Sequence, residues 1–176
     1  MQAVATGDAA ALRTLTGRWR RPLYAFLHRV AGGRDTDDLY QETWLRVVRG
    51  ARGFDSARRF STWLFQIALN QARDLHRRGV PEPVASEILE RVAADAAGEA
   101  AAAESVGAAR DAVLDVQRLL AALPEPQREV VVLRVLDDLP EDEVARIVGC
   151  PRGTVKSRLH HGLARLAQLA RGGHDR

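Results

Sequence analysis

A stretch in the middle of the chain, 80–111, restricts the fold more than any other feature of the sequence. It is rich in alanine and acidic residues and poor in large apolar residues. Such a segment buries too little apolar surface to offset the entropy lost on ordering it. We therefore predict a linker at 80–111 between two units, 1–79 and 112–176. The total of 176 residues suits two small domains.

Both flanking units are predicted to be helical. Alanine, leucine and arginine are frequent, only 5% of the residues are aromatic, and runs typical of strands are scarce. Apolar spacing and helix-terminating Gly and Pro residues divide each unit into four helices. The fold class is therefore all-α, with two small helical domains. The predicted helices cover about 8–19, 22–32, 35–49 and 61–78 in the first unit, and about 113–123, 127–136, 141–148 and 152–170 in the second.

Charge is distributed in blocks that the net value of +3 conceals. Residues 1–79 contain 14 arginines against 7 acids, and residues 151–176 contain 6 basic residues against 1 acid. The part between them, 80–150, is acidic. Of the 26 basic residues only Lys156 is a lysine. Because the guanidinium group suits phosphate, the two basic blocks are compatible with nucleic-acid binding. A solvated, arginine-biased surface is the alternative.

Several classes of protein are not expected. No apolar run approaches the roughly 20 residues of a membrane span, and the amino terminus lacks the basic and apolar segments of a signal peptide. The single cysteine, Cys150, cannot form an internal disulfide, so the sequence is typical of a cytoplasmic protein. Cys150, His160 and His161 are too few ligands for a structural zinc, and a Gly-rich phosphate loop is missing. We expect no metal, cofactor or catalytic residue, and no enzyme.

The strongest local pattern is PEDEVARIVGCPRGTVKSRL at 140–159. Ala145, Gly149 and Val155 have the spacing of a helix-turn-helix, with a small residue at the crossing and a glycine in the turn. Its second helix would contact DNA with one side, while an ordinary helical hairpin with a basic face is the alternative. The predicted buried side holds Val155, Leu159, Leu163, Leu166 and Leu169. The other side holds Thr154, Lys156, Ser157, Arg158 and His161.

The helix predicted at 61–78 has a polar stripe opposite its apolar face. Amide, hydroxyl and guanidinium groups along one stripe suit DNA, although a solvated face explains them equally well. Aromatic residues near its start could stack on unpaired bases or belong to the core. The stripe consists of Thr62, Gln66, Asn70, Arg73 and Arg77, and the aromatic residues are Phe54, Phe60 and Trp63.

The helix at 35–49 begins with acidic residues and continues with apolar ones. Asp37 and Asp38 fall in its first turn, where the helix dipole favours negative charge. Its polar edge fits a partner-binding surface or any amphipathic helix. That edge is formed by Asp38, Gln41, Glu42 and Arg46.

Taken together, four segments resemble a bacterial sigma factor of the extracytoplasmic-function (ECF) group, within the sigma-70 family. They are DTDDLYQETWLRV, RFSTWLFQIALNQARDLHRR, LPEPQREVVVLRVLDDLPEDEVARIVG and CPRGTVKSRLHH, in the family's order. The resemblance implies an alternative sigma factor that binds core RNA polymerase and directs promoter-specific transcription. The first unit would be region 2 and the second region 4. The remaining alternative is a stand-alone helix-turn-helix regulator, which usually needs dimer symmetry on DNA.

The resemblance also implies a role for each surface and each partner. The β′ clamp coiled coil and the β flap of the polymerase, promoter DNA and an anti-sigma factor are the implied partners, with no membrane insertion. The core-binding residues would be Asp38, Gln41, Glu42 and Arg46. The minus-10 element would be recognised and opened by Phe54, Arg58, Thr62, Trp63, Gln66, Asn70, Arg73 and Arg77. The minus-35 element would be contacted by Arg152, Gly153, Thr154, Lys156, Ser157, Arg158, His160 and His161.

Three positions depart from the family's usual residues. His161 stands where arginine is common, Gly162 where alanine is usual, and Tyr40 where an aliphatic residue is usual. The first two bear on minus-35 recognition, and the third bears on docking to the polymerase.

Overall fold

The computed structural model describes residues 1–33, 35–77 and 114–172. Within these ranges the chain forms helices and turns without any strand, as the all-α prediction requires. The predicted linker, 80–111, lies outside the described residues. The helices are α1 (Gln2–Ala5), α2 (Ala9–Ala31), α3 (Thr36–Gly50), α4 (Phe60–Arg77), α5 (114–121), α6 (Glu125–Val131), α7 (Glu141–Val148) and α8 (Arg152–Gly172).

Helix α2 corrects the prediction of two separate helices at 8–19 and 22–32. It runs unbroken through Pro22, and this residue is exposed to solvent. Proline removes one helical hydrogen bond, but Leu23, Phe26 and Leu27 follow it and are fully buried. Their burial stabilises the helix beyond the proline. The start is as expected, because the Asp8 carboxylate caps the helix, accepting hydrogen bonds from two backbone amides at 2.8 and 3.0 Å.

The first unit has a core between α2, α3 and α4. Phe26 and Phe65 pack edge to face with ring centroids 4.9 Å apart. Val47 of α3 and Leu64 of α4 are completely buried beside them. This packing turns the opposite face of α3 to solvent and leaves the opposite face of α4 outside the core of the first unit.

The second unit contains the expected helix-turn-helix. Helix α7 has the predicted bounds, and it ends at Gly149, whose φ of 73° is easiest for glycine. Val155 is fully buried and anchors α8. The predicted helix at 127–136 is instead α6 followed by a π-helical turn, Val132–Leu136. There the Asp137 amide donates to the Val132 carbonyl at 3.0 Å, five residues back.

The predicted buried side of α8 is only partly observed, because Val155 is buried while Leu159, Leu166 and Leu169 are half-buried. Leu163 is 43% exposed, so it does not belong to the buried stripe. Gly162 is buried in its place, and a Cβ added there would lie 2.8 Å from the Val131 Cγ2 atom. The glycine therefore permits a close crossing of α8 over α6, which gives a packing reason for this departure from the family's alanine.

The two units pack against each other. Helix α4 of the first unit lies against α7 of the second, and α2 contacts α6 and the π-helical turn. The Arg128 guanidinium of α6 also donates to the Val30 carbonyl of α2 at 3.2 Å. The buried residues of both units form one continuous apolar cluster.

Candidate nucleic-acid interface

The first turns of α8 carry exposed cations, as the helix-turn-helix prediction requires. Arg152, Lys156 and Ser157 are exposed, and so are His160 and His161, whose rings lie 5.6 Å apart. Of the other predicted contact residues, Gly153 is exposed, while Thr154 and Arg158 are half-buried. The Arg158 guanidinium donates to the Cys150 sulfur at 3.7 Å.

The cations of α8 have acidic partners on the preceding helix of the same unit. Arg152 lies 2.9 Å from Asp142 and 3.5 Å from Glu141, measured between nitrogen and carboxylate oxygen. Lys156 lies 3.9 Å from Glu141. Arg152, Lys156 and Asp142 are exposed and Glu141 is half-buried, so these pairs are largely screened by solvent and cost little to break.

The start of α4 and the loop before it line a cavity of about 410 Å³. Trp63 packs on Phe54 at 4.9 Å and on Phe60 at 6.1 Å, so the three aromatic residues form one cluster rather than separate stacking platforms. The Thr62 hydroxyl is buried without a hydrogen-bond partner in the structure. The cavity is lined by Ala57, Arg58, Arg59, Thr62, Trp63, Gln66 and Arg146, the last contributed by α7.

Further along α4, the polar stripe divides into free and engaged residues. Asn70 is exposed, and Arg77 is exposed and paired with Asp74 of the same helix. Arg73 instead contacts the second unit. Its guanidinium donates to both carboxylate oxygens of Glu129 at 2.7 Å and to the Val148 carbonyl at 3.2 Å.

Two more ion pairs join the units. Arg59, in the loop before α4, donates to the Glu143 carboxylate of α7. Arg29 of α2 donates to the Asp137 carboxylate at 3.1 Å. The three acids, Glu129, Glu143 and Asp137, all belong to the second unit, and the three arginines belong to the first.

Burial has opposite effects on two titratable groups near this boundary. It raises the pKa of Asp137 to about 6, although Arg29 acts to lower it. Only one oxygen of this carboxylate is hydrogen-bonded, and the other is buried without a partner. Burial lowers the pKa of His28, with Arg29 as the second cause. The hydrogen bond from Arg73 to Glu129 raises the pKa of Arg73.

The side of α3 that faces away from the core carries the predicted partner-binding edge. Asp38 and Gln41 are exposed, and the Arg46 guanidinium donates to the Glu42 carboxylate at 3.0 Å. Tyr40 points the other way, since its ring packs 6.3 Å from that of Trp44 and 6.0 Å from that of Tyr24. This departure from the family's aliphatic residue therefore contributes to packing between α2 and α3.

The sequence reasoning missed several residues of these surfaces. Leu45 and Val48 are 50% and 41% exposed and continue the line of Asp38 and Gln41 at steps of three and four residues. That spacing was visible in the sequence, but only the polar residues of this edge were named as candidates. We call the set Asp38, Gln41, Glu42, Leu45, Arg46 and Val48 the α3 outer face. Arg59 and Arg146 were also missed, because only the packing of the two units brings them to the cavity.

Two features are absent from the part of the chain that the structure describes. No group of three or more His, Cys, Asp or Glu side chains there is arranged to hold a metal ion. None of the described helices combines the length and the hydropathy needed to cross a membrane.

Comparison with known families finds a match in each unit. The Sigma-70 region 2 family matches residues 15–80. The family described as Sigma-70, region 4, matches residues 114–166. The two matches occur in the order expected from the sequence motifs and fall on either side of the predicted linker.

Two curated relatives are similar over nearly their whole length. The ECF RNA polymerase sigma factor SigW of Bacillus subtilis (strain 168) is 30% identical over 178 residues, covering 96% of this chain and 93% of the relative. The ECF RNA polymerase sigma-E factor of Escherichia coli (strain K12) is 28% identical over 165 residues, covering 90% and 86%.

Two solved structures have a similar fold. CnrH, in complex with the cytosolic domain of CnrY, aligns with a TM-score of 0.71 and 26% identity, covering 97% of this chain and 94% of that one. The sigma factor RpoE of Bartonella quintana, in complex with the anti-sigma factor NepR, also has a TM-score of 0.71. Its identity is 23%, with coverage of 93% and 98%, and it supports the fold alone.

Proposed function

We propose that this chain, which belongs to the sigma-70 family and is an ECF sigma factor directing transcription, divides promoter-specific initiation among three surfaces. The α3 outer face binds the clamp coiled coil of the β′ subunit in core RNA polymerase. Helix α4 and the loop before it bind and open the minus-10 element. The first turns of α8 enter the major groove of the minus-35 element.

The observation that carries the polymerase-binding proposal is the composition of the α3 outer face. Charged residues form its two edges, while Leu45 and Val48 lie exposed on one side of a helix whose other side is fully packed. Exposed apolar side chains surrounded by charges are typical of an interface with another protein. A helical coiled coil offers such a surface a complementary stripe.

The second unit has its own exposed apolar residues, which support a contact with the β flap. Val135 is 49% exposed and Leu136 is 39% exposed, at the end of the π-helical turn. Both are distant in sequence from the α8 cations. A contact with the β flap and a contact with DNA would therefore use different residues of the second unit.

The minus-10 assignment is supported by the residue types around the cavity. Trp63 provides an aromatic wall, and Thr62 and Gln66 provide hydrogen-bonding groups, beside Arg58 and Arg59. An extruded base needs a stacking surface and polar groups for its edge, and its backbone needs cations. The exposed Asn70 extends this surface along α4.

An accessory function and a location follow from the family. A regulatory initiation factor brings specificity to the polymerase and does no chemistry itself, so we propose no catalytic activity for the chain. Its place of action is the cytoplasm, with RNA polymerase. An anti-sigma factor is a proposed regulatory partner. A stand-alone regulator finds no support in the relatives, whose names identify sigma factors.

Reconstituted transcription tests the proposal. Core polymerase with the chain should initiate at a defined set of genomic sites, mapped by their RNA 5′ ends, which core alone does not use. Asp38→Arg combined with Glu42→Arg reverses the charge of the α3 outer face and should abolish this initiation and assembly with core. Binding of duplex DNA through α8 should remain, because that surface lies on the other unit.

The matched control is Asp115→Arg, which reverses an exposed carboxylate on the helix 114–121 outside the proposed surfaces. It should assemble with core and support initiation like the wild type. Normal assembly of the Asp38→Arg, Glu42→Arg variant with core would overturn the docking assignment.

A further inference from the structure

We propose that the amino-terminal half of α2 is a further DNA-contact surface, which binds the phosphates of the opened promoter strand next to the minus-10 element. This inference rests on the proposed function, because it extends the surface that α4 and the loop before it would present to DNA. We call this surface the α2 basic face. It consists of four arginines around one glycine: Arg13, Gly17, Arg18, Arg20 and Arg21.

The charge of α2 differs from that of the neighbouring long helices. Its 23 residues include no aspartate or glutamate, whereas α3 has three acids and α4 has one. Asp8, which precedes α2, caps the helix through backbone amides. The four arginines therefore lack acidic neighbours three or four positions away on their own helix, and like charges at these spacings repel one another. An anion outside the helix would relieve this repulsion.

The arginines of the α2 basic face are exposed. Arg13 and Arg18 form no side-chain hydrogen bond or ion pair with any residue that the structure describes. Hydrogen bonds between α2 and the second unit involve Arg29 and Val30, near the opposite end of the helix. The guanidinium groups of Arg13 and Arg18 are therefore available to a partner of opposite charge.

Gly17 is an independent indication of a partner at this face. Steps of three or four residues separate it from Arg13, Arg20 and Arg21, so it lies between them on one side of the helix. Glycine in a helix interior is less stable than alanine, yet a Cβ added at Gly17 would meet nothing within 4 Å. Packing inside the chain therefore does not require this glycine. A helix that lacks a side chain at this point allows the backbone of another molecule to approach closely.

Packing places the α2 basic face beside the proposed minus-10 surface. The Trp19 ring lies between Arg18 and Arg20 in sequence, and it is 5.9 Å from the Phe60 ring at the start of α4. The Phe60 ring is in turn 6.1 Å from that of Trp63, which lines the cavity proposed for an extruded base. A strand held at this cavity therefore lies within reach of α2.

The residue types of the α2 basic face favour a nucleic-acid strand over a protein partner. The α3 outer face contains Leu45 and Val48 as exposed apolar side chains, but α2 exposes no large apolar side chain. Protein interfaces have an apolar centre, whereas phosphate contacts need cations and polar groups. The arginine fork also matches the geometry of a phosphate. Such contacts would strengthen DNA binding without selecting a sequence.

Binding of single-stranded DNA by the full chain tests the charge of this face, with a short fluorescent strand of mixed sequence as the probe. Arg13→Gln combined with Arg18→Gln removes the two arginines that have no partner among the described residues. This variant should reduce the slope of log affinity against log salt by about 1.4, since each phosphate contact to a single strand contributes about 0.7. Circular dichroism checks that the variant is folded.

The matched control is Arg118→Gln combined with Arg134→Gln, which removes the same charge from the second unit. These two arginines pair with aspartates of their own unit, at 3.4 and 3.3 Å. The control should keep the wild-type salt slope. A slope that falls equally in both double variants would report net charge alone and would overturn the α2 contact.

Gly17→Gln tests the close approach separately from charge. Glutamine is a better helix former than glycine, so this variant should be at least as stable as the wild type in urea denaturation. Its longer side chain should nevertheless weaken binding of the strand by about tenfold, which corresponds to about 1.4 kcal/mol. A merely structural role would not lower the affinity of a chain that is no less stable. Equal affinity would overturn the close approach at Gly17.

Core polymerase distinguishes a DNA contact from a polymerase contact. The Arg13→Gln, Arg18→Gln chain should assemble normally with core, and its complex on a pre-melted promoter should dissociate at a lower salt concentration than that of the wild type. It should initiate at the same sites, because phosphate contacts carry no sequence information. Loss of assembly with core would assign the face to the polymerase and overturn the DNA contact.

An unchanged salt slope in the Arg13→Gln, Arg18→Gln variant would overturn the proposal, and so would a wild-type chain that does not bind the strand. The strand measurement involves no polymerase, so failure of the wild-type chain to support initiation would count against the proposed function alone. Selective initiation by the wild type together with an unchanged slope would count against the α2 basic face alone.

Discussion

Helices α4 and α8, the two for which we propose DNA contacts, both carry cations that are paired with carboxylates, but the pairs differ in kind. On α8, Arg152 and Lys156 contact acids of the neighbouring helix in the same unit, and these side chains are exposed. On α4, Arg73 contacts Glu129 of the other unit, and this pair is largely buried.

The difference shows that cations on two helices of one fold can differ in how easily they exchange one partner for another. A local pair with exposed cations costs little to break, so Arg152 and Lys156 can exchange partners easily. A buried pair between units costs more to break, because each partner that stays buried is left without its counter-charge. The cations in the first turns of α8 are therefore easier to transfer to a new partner than Arg73 of α4.

The largest expected effect is on stability, and it compares the two kinds of pair directly. Glu129→Ala should lower the free energy of unfolding by about 2–3 kcal/mol, because hydrogen bonds to charged groups contribute about 1.5–3 kcal/mol and Arg73 loses a bidentate partner. Glu141→Ala should lower it by less than about 1 kcal/mol, the usual value of an exposed pair. Urea denaturation followed by circular dichroism measures both. Equal losses would remove the distinction between the pairs.

The next effect concerns DNA binding by the free chain. Arg152→Ala with Lys156→Ala should reduce the salt dependence of duplex binding by about 1.8, since each phosphate contact contributes about 0.9. Arg59→Ala with Arg73→Ala removes the same charge from the first unit. It should leave the slope within about 0.5 of the wild type, because these arginines contact carboxylates rather than phosphates. A large loss in this second variant would mean that the minus-10 surface is open without polymerase.

Local sequence signals were sufficient for the helix-turn-helix. Pro140, three acids in the first turn and Gly149 at the end mark α7, and its bounds match the prediction. Capping and dipole preferences act within a few residues, so a sequence contains them completely. The polar edge of α3 was predicted from helical spacing, which is also a local property of the sequence.

Features that depend on tertiary packing were not predicted. Pro22 favoured a break in α2, but burial of the residues after it outweighs the lost hydrogen bond. Leu163 fits the apolar spacing of α8, yet the close crossing at Gly162 turns it to solvent. Arg73 and Glu129 lie 56 residues apart. Their pairing depends on how the two units meet, which periodicity does not encode.

The smallest expected effect distinguishes the third pair between the units, Arg29 with Asp137, from the other two. Burial raises the pKa of Asp137 to about 6 in the folded chain, above its usual value of 3.8. The folded state therefore holds this proton more tightly than the unfolded state, and stability falls as pH rises through about 6. A second oxygen without a hydrogen-bond partner explains why Arg29 does not reverse the shift.

Asp137→Asn should remove this pH dependence. The quantity to follow is the difference in free energy of unfolding between the wild type and the variant. His28 acts in the opposite direction, because its lowered pKa makes stability fall as pH drops below about 6.5. Between pH 5 and 7.5 the free energy of unfolding of the wild type, measured by urea denaturation, should fall by about 1 kcal/mol relative to that of Asp137→Asn. Arg134 and Asp138 pair with each other nearby and are the same in both proteins. A constant difference across this range would mean that Asp137 is charged throughout, so that Arg29 and Asp137 form an ion pair of the same kind as the other two.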